Sequence, residues 1–569
     1  EHKHKKFSPR ISGYEEIILR ILITIGVLPY KAYTLLIAII KTIYRKCISH
    51  KKLLEWMTSE EAEKQAKNNI MSYLRQMWFN IIFGVITILI ALSMPSILGI
   101  ILGLIWSFSP FMMWYISKEK KDIEPVQKLN QPEKEYILEI GEKTWEFFKQ
   151  YINKENNYLI PDNYQEDRKE KIVNRTSSTN IGLSILAIIS SYDLNYSNLE
   201  ETIELLYKVL TSVDSLQKWN GHLYNWYNTK TKEPLKPRYI STVDSGNFIG
   251  YLYVTKTFLE NVKENSDRNI FDKVEEMIEI VNRTIETTDF SQLYSQEHQI
   301  FSIGYNIEEN KLTDSYYDLL ASEARQTSIV AIAKKDVSAK HWNHLSRTLT
   351  ILDKYKGLIS WSGTAFEYLM PNINIPKYEG SLLDESCNFM IMSQIKYAEH
   401  LNIPWGISEA AFNLKDLQSN YQYKAFGIPW LGLKRGLADE MVVSSYGSIL
   451  AVNDKPKEVV KNLKVLEDYG MYNKYGFYEA LDFTPERVRK GKNAEVVKAY
   501  MAHHQGLILL SINNLFNNNI LQKRFTKNPE IQAISVLLQE TMPEKSIKNK
   551  EEKEKVEKLK YKDYENYVQ

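Results

Sequence analysis

The 569 residues exceed the usual size of one domain, although a single toroidal domain can be this large. Lysine and arginine (72) nearly balance aspartate and glutamate (70), so charge gives no indication of a nucleic-acid partner. The two cysteines, Cys47 and Cys387, are far apart in sequence, which fits a reducing compartment and argues against a disulfide framework. Because the chain starts at Glu1 and ends in a charged run, we interpret it as a piece of a longer protein.

The N-terminal region, residues 1–75, is predicted to form amphipathic or interfacial helices. Residues 17–40 are apolar but include a proline and two basic residues, a pattern that favours an interfacial or interrupted helix over a clean membrane span. Residues 53–75 have the pattern of an amphipathic helix.

Residues 76–117 contain no charged side chain. This run is too long for one membrane span and fits two helices of about 20 residues each, with a turn near Pro95. The basic residues Arg75 and Lys118 flank it, which places both ends on the cytoplasmic side. The sequence therefore predicts a hydrophobic helical hairpin that crosses the membrane, and a hairpin buried in a soluble protein is the alternative.

The rest of the chain is predicted to be a linker (118–131), a helical domain (132–540) and a charged C-terminal linker (541–569). Apolar residues at helical spacing predict an all-α domain with helices over Asn180–Tyr192, Leu199–Leu216, Phe271–Thr288, Leu319–Lys335, His341–Asp353, Leu383–Leu401, Val459–Asp468 and Tyr500–Leu515. Segments of aromatic residues and glycine connect these helices, which suggests a toroid of helical hairpins around a central cleft. A two-layer helical solenoid is the competing architecture.

Several kinds of site lack their sequence motifs. No HExxH motif, cysteine cluster or calcium loop is present, so no metal is expected. The sequence also has no phosphate-binding GKS/T or GxGxxG loop and no GxSxG nucleophile elbow, and we expect no cofactor.

Glu409 follows the Pro404-Trp405-Gly406 turn signal, and Ser408 to Ala411 are predicted to begin a helix. A carboxylate at the end of an element and beside an aromatic loop is well placed for catalysis. The alternative is a carboxylate that only complements the helix dipole.

Glu323 lies in the middle of a predicted apolar helix face, where an unpaired carboxylate is costly to bury. It therefore either has a partner or opens onto a cleft, and Arg325 would point away from the same face. A core glutamate paired with an arginine from elsewhere is the alternative.

Glu367 has a similar character, because aromatic residues surround it. It could bind a sugar hydroxyl, or it could be a loop glutamate that accepts hydrogen bonds from backbone amides. Asp244 and Asp482 are predicted on or near loops, and His503 and His504 are adjacent, so that only one is expected to face a shared site.

Several carboxylates on aromatic-rich loops suit the cleavage of glycosidic bonds. One carboxyl group protonates the departing oxygen, while the other attacks the anomeric carbon or activates water. Aromatic faces stack on sugar rings, and polar side chains bind the hydroxyl groups.

The sequence resembles a known protein family over most of its length. A series of motifs is similar to the middle, glycoamylase-like domain of cyclic β-1,2-glucan synthases. In chain order they are PDNYQED, RTSSTNIGLSILA, GHLYNWYNTKTKEPLKPRYISTVDSGN, LASEAR, SWSGTAFEYLMP, PWGISEAAFN, YQYKAFGIPWLGLKRGLAD, YGFYEALDFTPERV and YMAHHQG. The similarity covers about residues 130–540. In such synthases a glycosyltransferase domain makes linear glucan, the middle domain cyclises it, and a phosphorylase domain trims its length.

The resemblance implies an (α/α)6 barrel and transglycosylation with retention at the anomeric carbon. By motif, Glu409 matches the nucleophile and Glu323 the acid/base, and Glu367 would bind substrate or support the transition state. The implied substrate-binding residues are Asp244, Asn247, Arg325, Trp226, Tyr227, Trp361, Phe366, Tyr368, Trp405, Tyr423, Trp430, Asp482, His503 and His504.

The expected partners are linear β-1,2-glucan, glycosyltransferase and phosphorylase domains of the same parent chain, and a membrane contacted through the hydrophobic hairpin. The expected location is the bacterial inner membrane, with the catalytic domain on the cytoplasmic side. Three alternatives stay open: an endo-β-1,2-glucanase, a noncatalytic glucan-holding module and a membrane-anchored helical scaffold.

Overall fold

The computed structural model describes residues 21–51, 69–117 and 127–541, except for 266–267 and 353–354. The described residues fall into two compact units, which comprise residues 21–117 and residues 127–541. Residues 53–68 of the amphipathic helix predicted over residues 53–75 lie outside the described residues, as do most of the predicted linker and nearly all of the charged C-terminal tail.

The first unit is helical. Its helices are Leu28–Tyr44, with a π-helical turn at Arg45–Ser49, then Ile70–Gln76, Trp78–Ser93 and Ile97–Ile116. The last two helices flank Pro95, where a turn is predicted. They pack closely, as shown by Gly84, where a Cβ atom would lie only 2.7 Å from the Gly103 carbonyl oxygen. Among the described helices, Ile97–Ile116 is long and apolar enough to cross a membrane, and the pair Ile70–Gln76 and Trp78–Ser93, bent by 65°, qualifies if it is one span.

The second unit is mainly helical. Its α-helices are Gln131–Tyr151, Ser178–Asp193, Leu199–Asp214, Thr242–Asn265, Arg268–Thr287, Arg325–Ala333, Lys340–His344, Ala365–Leu369, Leu382–Leu401, Ser445–Ile449, Pro456–Asp468, Ala502–Phe516, Ile520–Thr526 and Pro529–Ile534.

Two kinds of helix make up this unit. Ser178–Asp193 and Ala502–Phe516 are buried along nearly their whole length and pack against each other. Amphipathic helices such as Leu199–Asp214 and Pro456–Asp468 bury only one face. The (α/α)6 closure of these helices into a ring stays a prediction.

Short antiparallel strands connect the helices, which corrects the prediction of an all-α domain, because strand pairing depends on distant partners that a local helical pattern does not show. They lie at Asn163–Gln165, Ile172–Val173, Arg175–Thr176, Lys218–Trp219, His222–Leu223, Tyr227–Asn228, Tyr239–Ser241, Tyr294–Ser295, Ile300–Ser302, Gly304–Asn306, Lys311–Leu312, Tyr316–Tyr317, Leu349–Leu352, Tyr355–Leu358, Ala410–Lys415, Tyr421–Lys424, Val442–Ser444, Tyr472–Asn473, Gly476–Phe477, Ala480–Asp482, Glu495–Val497 and Ala499–Met501.

Six of the predicted helices are present with nearly the predicted bounds, and two predictions are wrong in part. The helix predicted over Leu319–Lys335 begins only at Arg325, so Glu323 lies in the turn before it. The helix predicted over His341–Asp353 ends at His344, and the strand Leu349–Leu352 then pairs with Tyr355–Leu358.

The prediction of a helix start at Glu409 is also wrong. Residues from Ala410 onward form a strand that pairs with Tyr421–Lys424, with Ala411 opposite Tyr423. Glu409 therefore precedes a β-hairpin, and the helix-dipole interpretation does not apply to it.

Candidate active site

The backbone that carries Glu409 is fixed by buried contacts. The side-chain amide of Gln394 donates to the carbonyl oxygen of Ile407 (2.7 Å) and accepts from its N–H (2.8 Å). Gly406 has φ of 130°, and a Cβ atom there would lie 2.6 Å from the Ser444 carbonyl oxygen, so glycine is required for this close approach. Glu409 is thus presented from a rigid support.

The side chain of Glu409 accepts a hydrogen bond from the Tyr423 hydroxyl group at 3.1 Å. Burial raises the pKa of Glu409 to about 8, with repulsion from Glu323 and Glu367 adding to the effect, while the Tyr423 hydrogen bond and Lys434 oppose it. The side chain keeps partial solvent access although protein atoms surround it, which is the environment of a cleft.

Glu323 is the second half-buried carboxyl group. Burial raises its pKa to about 7, and the charge of Glu367 adds to this, while the Ser322 hydroxyl donates to Oε2 at 3.3 Å and opposes it. A close ion pair would lower the pKa, so the interpretation of Glu323 as an ion-paired core residue has no support. Arg325 is instead buried and donates to the Tyr368 carbonyl oxygen (3.0 Å) and Asn372 Oδ1 (3.3 Å).

Glu367 lies in the first turn of the helix Ala365–Leu369 and is buried. It accepts from the backbone N–H groups of Ser362 (2.9 Å) and Thr364 (3.0 Å) and from the Ser360 hydroxyl (2.8 Å). Burial raises its pKa despite these bonds. The carboxylate of Glu367 therefore holds its own loop in place while acting on Glu323 and Glu409 through its charge.

Tyr423 connects Glu409 to two histidines. Its hydroxyl oxygen lies 3.2 Å from Nε2 of His503 and 3.3 Å from Nε2 of His504. Nδ1 of His504 lies 2.9 Å from the carboxylate of Glu479. Glu479 was not among the site residues predicted from the sequence. Glu479 lies in the predicted aromatic segment YGFYEALDF, but its local pattern gives no sign of a histidine 25 residues later.

Asp482, predicted to bind substrate, forms a buried ion pair instead. It accepts from Arg487 Nε at 2.6 Å and from the backbone N–H of Asn413 and Thr484, both at 3.0 Å. Its side chain is fully buried, so its structural role is to join the hairpin after Glu409 to the strand Ala480–Asp482.

The predicted aromatic residues lie in different environments. Trp361 is 61% exposed and Tyr423 is 39% exposed, whereas Tyr227, Phe366, Tyr368, Trp405 and Trp430 are buried. The buried hydroxyl groups bond to backbone carbonyl oxygens, as Tyr368 does with Leu358 at 2.6 Å. Trp226 is half-buried, with the Arg175 guanidinium 4.1 Å above its ring.

Trp405 lines a groove of its own. This groove lies between the helices Leu382–Leu401 and Pro456–Asp468, and neither Glu323 nor Glu409 lines it. Exposed Trp361 and Tyr423 are therefore better available to a sugar than Trp405.

Asp244 and Asn247 lie on the helix Thr242–Asn265, so Asp244 is in a first helical turn rather than a loop. Asn247 is buried and donates to the Thr179 hydroxyl at 3.3 Å. The charges of Asp244, Glu323 and Glu409 all raise the pKa of the Tyr317 hydroxyl, which places these three carboxylates around one tyrosine. Within the described ranges, no group of three or more His, Cys, Asp or Glu side chains could hold a metal ion.

Comparison with known proteins identifies the sequence relationship. Residues 315–529 match the Glycoamylase family model. The cyclic β-(1,2)-glucan synthase NdvB of Rhizobium meliloti is 31% identical over 663 aligned positions, which cover 95% of this chain and 23% of that protein. This chain is homologous to that synthase. It spans less than a quarter of the length of NdvB.

Solved structures share the fold of the second unit. The endo-β-1,2-glucanase of Chitinophaga pinensis, solved with sophorotriose and glucose, is 16% identical with a TM-score of 0.59, covering 73% of this chain and 100% of that one. The endo-β-1,2-glucanase of Talaromyces funiculosus, solved with sophorose, is 13% identical with a TM-score of 0.57, covering 73% and 95%. At these identities the likenesses show a shared fold.

Proposed function

We propose that this chain cyclises linear β-1,2-glucan by retaining transglycosylation, with Glu409 as nucleophile and Glu323 as acid/base. The observation that carries the proposal is the pair of half-buried carboxyl groups with raised pKa values, which lie near enough for the charge of Glu323 to raise the pKa of Glu409. Retaining glycosidases need such a pair, with one group protonated and the other ionised. Homology to a cyclic glucan synthase supplies the substrate class.

The environments of the two groups support these roles. Glu409 has the Tyr423 hydroxyl donor and the positive charge of Lys434, both of which stabilise its ionised form. Because the two groups repel each other, ionisation of one favours the protonated form of the other, so the pair holds about one proton near neutral pH. The pKa of Glu409, about 8, lies above that of Glu323, about 7, so the proposed roles require substrate binding to move this proton to Glu323, which needs it to act as an acid.

The reaction proceeds in two steps. A carboxylate oxygen of Glu409 attacks the anomeric carbon of an internal glucosyl unit, the glycosidic bond breaks, and Glu323 protonates the departing oxygen, directly or through a substrate hydroxyl. The reducing-side fragment then leaves. Next, Glu323 removes the proton from the hydroxyl group at the chain's own nonreducing end, which attacks the glycosyl-enzyme, closes the ring and releases Glu409 as a carboxylate.

The remaining predicted residues take supporting roles in this proposal. Trp361 and Tyr423, which are exposed, stack on sugar rings and limit the access of water to the glycosyl-enzyme. Glu367 acts by fixing its loop and by raising the pKa of Glu323. Asp244 binds a hydroxyl group beside Tyr317.

The chain's setting is part of the proposal. The low coverage of NdvB suggests a parent chain with further domains, which we propose to be the glycosyltransferase and phosphorylase domains. The apolar helices of residues 78–116 would anchor the protein in the bacterial inner membrane, with the catalytic unit on the cytoplasmic side.

Hydrolysis is the second candidate function, because solved endo-β-1,2-glucanases have a similar fold. Incubation with linear β-1,2-glucan separates the two. A cyclase gives products without a reducing end, whereas a hydrolase gives short linear sugars that have one. A noncatalytic glucan-holding module would give no products at all.

A further inference from the structure

A chain of hydrogen bonds runs from Glu409 into the protein interior. Glu409 Oε2 lies 3.1 Å from the Tyr423 hydroxyl oxygen, which lies 3.3 Å from Nε2 of His504. Nδ1 of His504 lies 2.9 Å from Glu479 Oε1 and 3.0 Å from Oε2. Each link is within hydrogen-bond distance, and such links tighten when substrate binds.

The inner end of this chain is closed off from solvent. His504 is 1% exposed and Glu479 is 2% exposed. The ring of Tyr446 stacks on His504 with 3.7 Å between centroids, and the Ala411 N–H donates to Glu479 at 3.1 Å. A proton on Glu479 therefore has a direct route to the cleft through His504 and Tyr423.

The donors and acceptors along this hydrogen-bond chain can be arranged consistently in two directions. When Glu479 is ionised, it accepts from Nδ1–H of His504, so Nε2 accepts from Tyr423, and the tyrosine oxygen is left to accept from a protonated Glu409. When Glu479 is protonated, it donates to Nδ1, Nε2–H donates to Tyr423, and the tyrosine hydroxyl donates to an ionised Glu409. Imidazole is neutral in both states.

We propose that Tyr423 and His504 carry a proton between Glu409 and Glu479, so that Glu409 becomes a carboxylate as Glu479 becomes a carboxylic acid. One proton leaves Glu409 for Tyr423, one leaves Tyr423 for Nε2, and one leaves Nδ1 for Glu479, while one negative charge moves the opposite way. This inference rests on the proposed role of Glu409 as nucleophile. His504 and Glu479 are positioning residues that act through Tyr423.

Charges around the chain agree with this transfer. Burial raises the pKa of Glu479 to about 7, close to the value of about 8 for Glu409, so the proton is shared rather than held by one group. Burial lowers the pKa of His503 to about 3 and holds that of His504 well below its usual value, which keeps both rings neutral. The other groups that face the chain are Tyr446, Asp162, Lys434, Glu323 and Glu367.

Glu479→Gln is the decisive variant. The glutamine oxygen can accept from Ala411 N–H while its amide donates to Nδ1 of His504, which fixes the direction that makes Tyr423 a donor to Glu409. The pKa of Glu409 should fall by about one unit, a tenfold change in its ionisation ratio, and the acidic limb of kcat/KM for linear β-1,2-glucan should move equally. A change of packing alone would lower thermal stability without moving this limb.

We call the transfer of a proton between Glu409 and Glu479 through Tyr423 and His504 the relay. Tyr423→Phe separates the relay from direct repulsion between Glu479 and Glu409. In this background Glu479→Gln should leave the pKa of Glu409 unchanged, because the connection is gone. An equal shift in both backgrounds, or no shift in either, overturns the relay. Glu495→Gln is the matched control, since Glu495 is also buried in a short strand but pairs with Arg489, and it should leave the acidic limb in place.

Infrared difference spectra between the wild type and Glu409→Gln follow the ionisation of Glu409 without any turnover. The relay predicts one more step in the titration of wild-type Glu409 than in Tyr423→Phe, where only the coupling to neighbouring carboxylates such as Glu323 remains, even if Glu479→Gln does not fold. The same number of steps in both proteins overturns it. A wild type that is inactive on glucan ends the proposed function but leaves this result intact, whereas an active wild type without the additional step ends only the relay.

Discussion

Single residues show how this protein treats buried carboxylates in two ways. Asp482 and Glu495 pair with Arg487 and Arg489, and the Arg489 hydrogen bond lowers the pKa of Glu495 to about 2. The pKa values of Glu323 and Glu409 are raised instead, because burial and the charge of a neighbouring carboxylate outweigh their hydroxyl donors; Glu367 acts on Glu323, and Glu323 acts on Glu409. The first treatment stabilises the fold, and in the proposed function the second prepares groups for proton transfer.

Glu323 and Glu409 could be predicted as candidate site residues from the sequence, because each carboxylate lies among small or apolar residues. It could not separate Asp482, which is bound to Arg487, from acids that face the cleft, since both occur in aromatic loops. Glu479 escaped notice because its partner His504 lies on another element. The local sequence pattern indicates that a carboxylate would be costly to bury. It does not show the partner that offsets this cost, because that partner is reached through a tertiary contact.

Replacing Glu409 by glutamine should abolish activity and stabilise the fold. A carboxyl group whose pKa is raised to about 8 binds a proton more tightly in the folded state, so its contribution to stability falls as pH rises from about 4.5 to 8. At pH 8 we expect Glu409→Gln to raise the free energy of unfolding by about 1–3 kcal/mol, a range reduced for partial exposure, and near pH 4 by almost nothing. Denaturant unfolding at both pH values measures this, and equal effects would contradict it.

The pH dependence of activity should reflect the same pair. With pKa values of about 7 for Glu323 and about 8 for Glu409, we expect a bell-shaped kcat/KM profile centred between pH 7 and 8. Substitution of the exposed Glu308 by glutamine serves as a control that should leave the profile unchanged. An acidic limb near 4.5, the value of an unperturbed glutamate, would show that the pKa values of these carboxyl groups are not raised.

At the scale of elements, the active site depends on short strands more than on helices. The hairpin Ala410–Lys415 with Tyr421–Lys424 brings Tyr423 to Glu409, and the sheet of Val442–Ser444, Ala480–Asp482 and Glu495–Val497 brings Glu479 to the same place. Helical periodicity predicted the long helices well because each one forms from local hydrogen bonds. It predicted a helix after Glu409 because Ala410 and Ala411 favour helices, while strand pairing depends on a distant partner.

Arg487 should be essential for this sheet. Arg487→Met leaves the fully buried Asp482 without its ion pair, and we expect a loss of about 3–5 kcal/mol in the free energy of unfolding. Arg238→Met is the matched control, because Arg238 and Glu308 form an exposed pair whose loss should have a much smaller effect on the free energy of unfolding. Chemical denaturation compares the two variants, and similar losses would assign Asp482 a different role.

For the whole molecule, the division into two units follows the sequence pattern. Residues 21–117 keep many large apolar side chains exposed, including Leu89 (60%) and Leu98 (68%), whereas residues 127–541 enclose one large apolar core. Composition predicted this contrast, since an uncharged run of 42 residues differs from everything after it. The closure of the helices into a ring stays a prediction, because it depends on contacts between distant helices that a local pattern does not give.

Membrane binding should depend on the apolar helices. Ile86→Lys and Leu104→Lys place a charge near the middle of Trp78–Ser93 and Ile97–Ile116, at a cost of about 3 kcal/mol each in a bilayer. We expect the wild type to float with lipid vesicles and the double variant to stay in solution. Leu417→Lys, at a fully exposed loop position of the other unit, should float like the wild type, and flotation of all three proteins would contradict the anchor.

The most direct measurement is mass spectrometry of the products formed from linear β-1,2-glucan by the wild type and by Glu409→Gln. We predict glucans one water molecule lighter than their linear counterparts and without a reducing end from the wild type, and unchanged substrate from the variant. Short linear glucans from the wild type, or rings from Glu409→Gln, would contradict a cyclisation that proceeds through Glu409.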